Sequence, residues 1–305
     1  MIIDMPLKPK VVILTGPTAT GKTQWAVALA NAAGGEVISA DSRQLYQGMD
    51  LGTGKDLAEY GGIPHHLIDL LSPLEDYSAS RFQNDCRRLV PDILQRHRLP
   101  LICGGTGHYL KALLQDYPFA QGPTNLESTR LLEAKPRTEL LQLLQKAGLG
   151  QTQDWSQASK RRMVRAWERA QATNADKPAP TPFQELYEVR VFALNPGREI
   201  VKQRIADRLR TRLQQGMILE VQTLLAQGVP RERLLRFGLE YKWITLHLEG
   251  ALTLDQLQAT LGQEIQRFAK RQMTFLRYME KEGIPLHWVS MGEEFLARAK
   301  AWLAT

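Results

Sequence analysis

The sequence predicts an α/β fold, a parallel β-sheet covered by helices on both faces, with a small inserted all-helical domain and a helical C-terminal part. Three observations support this prediction. Short apolar strands alternate with helical segments over residues 1–115, a glycine-rich loop joins the first strand to the first helix, and proline-containing breaks at 116–118 and 177–182 interrupt the alternation. The chain has 305 residues, 43% of them apolar, which is enough for a sizeable core.

The first part of the chain supplies the sheet. Apolar runs predict strands at Val11–Thr15, Glu36–Ser39, His66–Asp69 and Leu99–Cys103. Helix-forming segments between and after them fall near residues 22–33, 79–97 and 107–115. Since alternating strands and helices form parallel sheets, ligands are expected at the carboxyl ends of the strands.

The two breaks divide the chain into a core, residues 1–116 and 183–305, and an insertion, residues 117–182. The insertion has helical apolar spacing and is interpreted as a small inserted helical domain. A strand at Glu188–Leu194 returns the chain to the core sheet. Helices dominate from Arg198 onward, and a short apolar run lies at His287–Val289.

The glycine-rich loop is the most informative motif. Residues 16–23 match the phosphate-loop pattern G-x-x-x-x-G-K-[ST], which occurs in proteins that bind nucleotides such as ATP, and they predict a P-loop-type fold. The backbone of the loop and the start of the following helix would hold a di- or triphosphate, with Lys22 adding a positive charge and the Thr23 hydroxyl a ligand for Mg²⁺. The residues assigned to phosphate binding are Gly16, Thr18, Ala19, Thr20, Gly21, Lys22 and Thr23.

Asp41 is the second candidate. It follows the second strand, 19 residues after Lys22, so it should face the loop across the end of the sheet. A carboxylate there could act as a general base or help to organise Mg²⁺. The strand Leu99–Cys103 ends in Gly104-Gly105-Thr106-Gly107 rather than in the aspartate that ATP hydrolases use as a magnesium ligand, which weakens a motor or switch function. The glycines would let this backbone approach a ligand closely.

Charge and cysteine content indicate the partner and the compartment. The net charge is +7, and residues 160–212 carry 13 Lys/Arg against 6 Asp/Glu. Beside a phosphate loop, this excess favours a polyanionic partner. Only Cys86 and Cys103 are present, without metal-type spacing, and neither a signal peptide nor an apolar run of membrane-spanning length is recognised. We therefore expect a cytoplasmic protein that does not enter the membrane.

Several segments together resemble one family, the tRNA dimethylallyltransferases (tRNA isopentenyltransferases). Their order and spacing match the family over nearly the whole chain. The segments are Gly16–Thr23, Ile38–Tyr46 with Gly52–Lys55, Pro64–Asp69, Gly104–Leu110 and Ala269–Arg277.

The resemblance implies transfer of a dimethylallyl group from dimethylallyl diphosphate to N6 of an adenosine beside the anticodon of tRNA. Mg²⁺, Lys22 and Thr23 would stabilise the departing diphosphate, and Asp41 would take the N6 proton. Arg208 best matches the family arginine that contacts the diphosphate, with Arg204 as the second choice. Ser42 and Gln44 would read a flipped adenine, and Thr106 and Gly107 would line the channel.

The same resemblance implies that the insertion, residues 117–182, is a tRNA-binding domain and that basic residues of both parts of the chain contact the tRNA backbone. Arg161 and Arg165 in the insertion, and Lys270 and Arg271 in the core, would hold the backbone of the anticodon stem-loop. The insertion is shorter than is usual in the family, and residues 237–243 replace a compact Gly-Tyr-Lys/Arg signature on the side expected to face tRNA. His65 and His66 are interpreted as structural or substrate-lining, because adjacent strand residues point to opposite faces.

The residues leave other functions open. A related enzyme could prenylate free AMP, ADP or ATP, although a mononucleotide needs no long basic surface. A small-molecule kinase could use the same loop, and a tRNA-binding protein could retain the site without its chemistry. We expect the tRNA enzyme to act as a monomer.

Overall fold

The computed structural model describes residues 8–117, 126–151, 154–171 and 181–305. The chain divides into two compact units. The first comprises Met1–Asp116 and Pro182–Thr305, and the second comprises Tyr117–Thr181.

The first unit is built on a six-stranded parallel sheet with the strand order β3-β2-β4-β1-β5-β6. The α/β prediction is therefore confirmed. The strands are β1 (Lys10–Thr15), β2 (Gly35–Ser39), β3 (His65–His66), β4 (Leu99–Cys103), β5 (Glu188–Leu194) and β6 (His287–Val289). At the carboxyl end of the central pair, Leu14 of β1 is in register with Cys103 of β4.

Thirteen helices occupy the described ranges. In the first part of the chain they are α1 (Lys22–Ala33), α2 (Ala79–Gln95) and α3 (Gly107–Leu114). The second unit contains α4 (Leu126–Ala134), α5 (Arg137–Lys146) and α6 (Lys160–Gln171). The remainder are α7 (Phe183–Leu186), α8 (Arg198–Gln214), α9 (Met217–Ala226), α10 (Arg231–Phe237), α11 (Leu239–Leu248), α12 (Leu254–Lys281) and α13 (Gly292–Leu303). No helix in the described ranges has both the length and the apolar character needed to cross a membrane.

Alternate residues of the central strands enter different cores. On one face, Val11 and Ile13 of β1 join a large cluster that includes residues of α2, α3, α8 and α12. On the other face, Val12 and Leu14 join a smaller cluster with residues of α1 and α13. Both faces of the sheet are covered, which explains why its strands are almost continuously apolar.

The second unit has a small core of its own. Leu140 and Leu144 of α5 pack with Met163 and Val164 of α6 and with Trp155 from the connecting segment. Arg137 supports that segment by donating to the carbonyl oxygens of Trp155, Ser156 and Ala158.

The third predicted strand is the main error in the fold. It was expected over His66–Asp69, whereas β3 contains only His65 and His66. Leu67 and Asp69 have positive φ angles of 60° and 50°, which a strand does not allow. The backbone turns there, and the Asp69 carboxylate accepts a hydrogen bond from the buried Lys55 ammonium. The positive φ of Leu67 therefore ends the strand, and the ion pair between Lys55 and Asp69 lies in the turn that follows.

Candidate active site

A cleft of about 600 Å³ lies at the carboxyl ends of the strands in the first unit. Its walls include residues of the glycine-rich loop (Gly16–Thr23), Asp41 after β2, the first two residues of the β4 turn (Gly104–Gly107), and residues of the helices α8 and α12. The sheet topology places these segments together, since the ends of neighbouring parallel strands meet at one edge.

The glycine-rich loop joins β1 to α1. Gly16 has a φ of 150°, and a Cβ there would lie 2.7 Å from the Leu194 carbonyl oxygen, so only glycine fits beside β5. Gly21 has a φ of 79° and immediately precedes α1. Left-handed backbone at this point directs the first amides of α1 into the cleft, which is the geometry of an anion site at a helix N-terminus.

Lys22 is the cation of this loop. Its ammonium donates to the Pro17 carbonyl oxygen at 2.7 Å, so the side chain folds back over the loop. Burial lowers the pKa of Lys22 to about 8, and the nearby Arg208 guanidinium acts in the same direction. An anion in the cleft would favour the charged ammonium and relieve this repulsion.

Three arginines near the loop already have partners. Arg43 forms an ion pair with Glu240 at 2.6 Å, and Arg212 pairs with Asp56 at 3.0 Å. Arg204 donates to the Thr20 carbonyl oxygen at 3.3 Å.

Arg208 differs from these three. It lines the cleft, as Arg43 and Arg204 also do, but within the described part of the chain its side chain has neither an ion-pair partner nor a hydrogen-bond partner. Burial, with Arg212 close by, lowers the pKa of Arg208 to about 10. A Cβ on Gly54 would lie 2.8 Å from Arg208 Nη2, so this glycine makes room for the guanidinium. The predicted preference for Arg208 over Arg204 thus has a geometric basis.

Thr23, the expected magnesium ligand, follows Lys22 on α1 and lines the cleft. Burial raises the pKa of the neighbouring Tyr60 hydroxyl above its ordinary value, and the Thr23 side chain acts weakly in the opposite direction. The described ranges contain no group of three or more His, Cys, Asp or Glu side chains that could hold a metal ion by themselves. A magnesium ion here would therefore depend on oxygen atoms of its substrate as well as on Thr23.

Asp41, Ser42 and Thr106 meet where β2 and β4 end. Asp41 Oδ1 accepts a hydrogen bond of 2.9 Å from the Arg43 amide, which fixes the carboxylate over its own turn. The Thr106 hydroxyl accepts from the Ser42 amide at 3.0 Å and lies 3.4 Å from Ser42 Oγ. The structure therefore brings the predicted base together with two of the predicted adenine-binding residues.

Gln44 is engaged within the protein. Its Oε1 accepts from Ser39 Oγ at 2.9 Å, and its Nε2 donates to the Gly54 carbonyl oxygen at 3.0 Å. Gln44 is also buried. In this arrangement its amide joins the segment after β2 to the Gly52–Lys55 segment, so its predicted contact with a base would have to use the remaining amide hydrogen or lone pair.

The glycines of the β4 turn permit close contacts within the protein. A Cβ on Gly104 would lie 2.3 Å from the Ala40 backbone, one on Gly105 would lie 2.4 Å from Gln272 Nε2, and one on Gly107 would lie 2.2 Å from the Phe275 ring. These glycines were predicted to allow close approach of the backbone to a ligand. The structure accounts for each of them by the approach of β2 or α12.

The four predicted tRNA-binding side chains belong to two units. Lys270 and Arg271 are exposed on α12 of the first unit, and Arg271 lies over the Phe268 ring with 5.9 Å to the centroid. In the second unit, Arg161 is exposed on α6, and Arg165 pairs with Glu168 at 2.9 Å. Within the described ranges Lys270, Arg271 and Arg161 form no ion pair, so they present the positive charge that a phosphate backbone would contact.

The segment 237–243 was expected to face tRNA, but two of its residues lie in the core. Glu240 and Tyr241 are only 4% and 0% exposed. Glu240 pairs with Arg43, and the Tyr241 hydroxyl donates to Glu220 at 2.8 Å. Glu220 in turn accepts from the backbone amides of Asp50, Leu51 and Gly52. From the core, Glu240 therefore holds Arg43 of the cleft wall, and Tyr241 holds Glu220, which binds the segment before Thr53 and Gly54.

Sequence reasoning missed Lys55 as a structural residue and Gln272 as a cleft residue. Lys55 is fully buried and donates to Asp50, Asp69 and the Tyr46 carbonyl oxygen. Gln272 lies beside Lys270 and Arg271, whose charge indicated a tRNA contact on the exposed face of α12 and gave no sign of a cleft residue. The two adjacent histidines contact neighbouring residues of the first unit: His66 contacts Glu36 at 2.7 Å, and the His65 ring centroid lies 4.5 Å from that of Tyr60.

Comparison with known proteins agrees with this geometry. The family model for IPP transferase matches residues 44–279, and a model for isopentenyl transferase matches residues 9–60. Among curated proteins, tRNA dimethylallyltransferase 1 of Geotalea uraniireducens is 43% identical over 279 residues, covering 91% of each chain. Among solved structures, tRNA delta(2)-isopentenylpyrophosphate transferase of Staphylococcus epidermidis is 29% identical with a TM-score of 0.69, covering 97% of this chain and 99% of that one.

A second solved structure gives the same result. The full-length tRNA isopentenylpyrophosphate transferase of Bacillus halodurans is 30% identical with a TM-score of 0.70, and the match covers 97% of this chain and 96% of that one. Since the IPP transferase model spans most of the chain and the curated relatives match it nearly end to end, this protein belongs to the IPP transferase family, with the tRNA dimethylallyltransferases among its relatives.

Proposed function

We propose that the protein transfers a dimethylallyl group from dimethylallyl diphosphate to N6 of an adenosine beside the anticodon of tRNA, releasing diphosphate. The observation that carries the proposal is the arrangement of the cleft: two desolvated cations, Lys22 and Arg208, share it with the carboxylate of Asp41. The names of the curated relatives support tRNA as the acceptor.

The cations suit a diphosphate leaving group. In the transfer, the N6 nitrogen forms a bond to C1 of the dimethylallyl group as the bond from C1 to the diphosphate oxygen breaks. Negative charge then builds on the diphosphate, where Lys22, the amides that begin α1 and the guanidinium of Arg208 would stabilise it. Fixed charges in a partly dehydrated cleft need little reorganisation when the bond breaks.

Asp41 suits the acceptor side. One of its carboxylate oxygens is held by the Arg43 amide, which leaves the other free to accept a proton. As N6 attacks C1, Asp41 would take one N6 proton, so that the product amine is neutral. Ser42, Gln44, Thr106 and Gly107 would surround an adenine that has left its stack.

The donor chemistry of the site is compatible with Mg²⁺. Thr23 offers a hydroxyl oxygen next to the amides of the loop, and Mg²⁺ commonly takes only one or two protein ligands together with substrate phosphate oxygens. We propose that Thr23 holds the ion, with the Asp41 carboxylate of the same cleft as a candidate second ligand. When bound, the ion would neutralise charge on the departing diphosphate.

The tRNA would contact basic residues outside the cleft. We propose that Lys270 and Arg271 bind phosphates of the anticodon stem-loop, and that Arg161 and Arg165 make the corresponding contacts from the helical insertion. Free adenine nucleotides as acceptors, and phosphoryl transfer by a kinase, are not favoured by the curated relatives, which are named as tRNA enzymes.

The test uses purified protein with unmodified tRNA, dimethylallyl diphosphate and Mg²⁺, followed by digestion and mass spectrometry of the nucleosides. An adenosine heavier by one five-carbon prenyl unit is expected, and excess AMP should not compete. Asp41→Asn keeps the size of the side chain and should abolish transfer without affecting folding. Modified AMP in place of modified tRNA, or ADP formed from ATP, would contradict the proposal.

A further inference from the structure

We propose that Gln272 is a positioning residue of the transfer reaction, whose carboxamide sets the spacing between the glycine-rich loop and the β4 turn. This inference rests on the proposed function, because the loop would carry the diphosphate and the turn would lie beside the adenine. The family resemblance includes Gln272 only as one residue of the segment Ala269–Arg277 and gives its side chain no separate role.

The carboxamide bridges the two segments directly. Gln272 Oε1 accepts from the Thr18 amide at 2.8 Å, and Gln272 Nε2 donates to the Gly105 carbonyl oxygen at 3.0 Å. Strand pairing between β1 and β4 ends at Leu14 and Cys103, followed by one contact from the Gly104 amide to the Leu14 carbonyl oxygen. Beyond that contact, the bridge through Gln272 ties the loop to the turn.

The side-chain chemistry at this position is specific. The bridge needs one acceptor and one donor at the end of a long side chain, which a carboxamide provides. A glutamate could accept from Thr18 but could not donate to Gly105, and a methionine of similar size could do neither. Gly105 is matched to this arrangement, since a Cβ on it would lie 2.4 Å from Gln272 Nε2.

The helix that carries Gln272 is firmly anchored. Ala269 and Leu276 of α12 are buried at 5% and 2% exposure. On either side of Gln272, Phe268 lies under the Arg43 guanidinium with 5.6 Å to the ring centroid, and Phe275 packs against Gly107. The same helix therefore contacts the segment after β2, the β4 turn and the glycine-rich loop. It provides a rigid reference for the distance between them.

The position of the bridge also indicates whether diphosphate binding or the chemical step should be impaired when Gln272 is replaced. Gln272 occupies the Thr18 amide, so an anion would be bound by the later amides of the loop together with Lys22 and Arg208. Removal of the carboxamide should therefore leave diphosphate binding largely intact. A displacement of about 1 Å between reacting groups can slow the chemical step about 100-fold. The expected signature is a loss of rate at saturating substrate.

The experiment compares Gln272→Met and Gln272→Glu with Gln263→Met, an exposed glutamine on the same helix. Single-turnover transfer to tRNA at saturating dimethylallyl diphosphate gives the rate, titration calorimetry with inorganic diphosphate gives the affinity, and thermal unfolding reports on the fold. For Gln272→Met we expect a rate about 100-fold lower and a diphosphate Kd changed less than about threefold. Gln272→Glu should lose rate and also diphosphate affinity, because it places a negative charge beside the loop.

The results separate the inference from the function on which it rests. Wild-type protein that transfers no prenyl group overturns both. Wild-type transfer with a Gln272→Met rate close to that of Gln263→Met overturns the inference alone. A Gln272→Met variant in which rate and diphosphate affinity fall together, in step with the unfolding temperature, shows a general structural role and also overturns it.

Discussion

Arg43 and Glu240 are 197 residues apart in the chain, yet they form a 2.6 Å ion pair in the wall of the cleft. The two side chains are only 13% and 6% exposed. Burial lowers the pKa of the Arg43 guanidinium, but the negative charges of Glu240 and Asp41 outweigh this effect, so the pKa is raised above its ordinary value. The pair joins α11 to the turn that presents Asp41, so its loss should affect both stability and the position of the base.

The first prediction follows from this burial. Glu240→Gln leaves the Arg43 charge buried without its partner, and the free energy of unfolding should fall by about 3–5 kcal/mol. The double substitution Arg43→Met/Glu240→Met removes both charges and should be less harmful. Urea denaturation measures each variant. Glu139→Gln, in the exposed Lys135–Glu139 pair, is the control, and an equal loss in this variant would refute the prediction.

Local signals predicted most of the core elements. The strands β1, β2, β4 and β5 were predicted to within one residue, because a buried parallel strand is a nearly uninterrupted apolar run, whereas β6 was noted only as a short apolar run. The start of α1 was marked by the glycine-rich loop, and its end by Gly34, which has a φ of 64°. These features depend on neighbours in the sequence.

Features that depend on distant partners could not be predicted. The Thr18–Gln272 contact joins residues 254 apart, and the turn after β3 contains Asp69 paired with the buried Lys55. No local pattern distinguishes a bridging glutamine from a solvated one, or a buried lysine from an exposed one. The residues Asp41, Ser42 and Thr106 were placed at one edge by topology alone, whereas their hydrogen bonds required the folded chain.

The second prediction concerns pH. Burial lowers the pKa of Lys22 to about 8, so free protein loses this positive charge as the pH rises through that value. Diphosphate affinity should therefore decrease above about pH 8 and be retained below it. Because Lys22→Arg stays charged over this range, the decrease near pH 8 should be absent from the variant. Titration calorimetry measures the diphosphate affinity of both proteins from about pH 6.5 to about 9.5. The ionisation of diphosphate itself affects both proteins equally and cancels in the comparison. Identical profiles would contradict the assignment of the pH dependence to Lys22.

The third prediction separates two arginines. Arg208 is desolvated and has no ion-pair partner in the described ranges, whereas Arg204 is exposed and contacts Thr20. Arg208→Gln should weaken diphosphate binding about 30-fold, or about 2 kcal/mol. Arg204→Gln should have a much smaller effect in the same calorimetric titration. A larger loss for Arg204→Gln would transfer the diphosphate contact to that residue.

The fourth prediction concerns tRNA. Lys270 is exposed on α12, close in sequence to Phe268 and Gln272 of the cleft wall. If its ammonium contacts a phosphate of the anticodon stem-loop, Lys270→Ala should weaken tRNA binding and reduce the slope of log K against log salt concentration by about 1. Filter binding of the stem-loop over a range of salt concentrations measures both quantities.

Lys300→Ala is the matched control for this measurement, because it removes one exposed lysine of the first unit from a different helix, α13. The control should leave the salt slope unchanged. Diphosphate affinity should be the same in both variants, since neither side chain lines the cleft. Equal slopes for Lys270→Ala and wild type would place the tRNA backbone away from this face of α12, and Arg161 on α6 would then be the next residue to substitute.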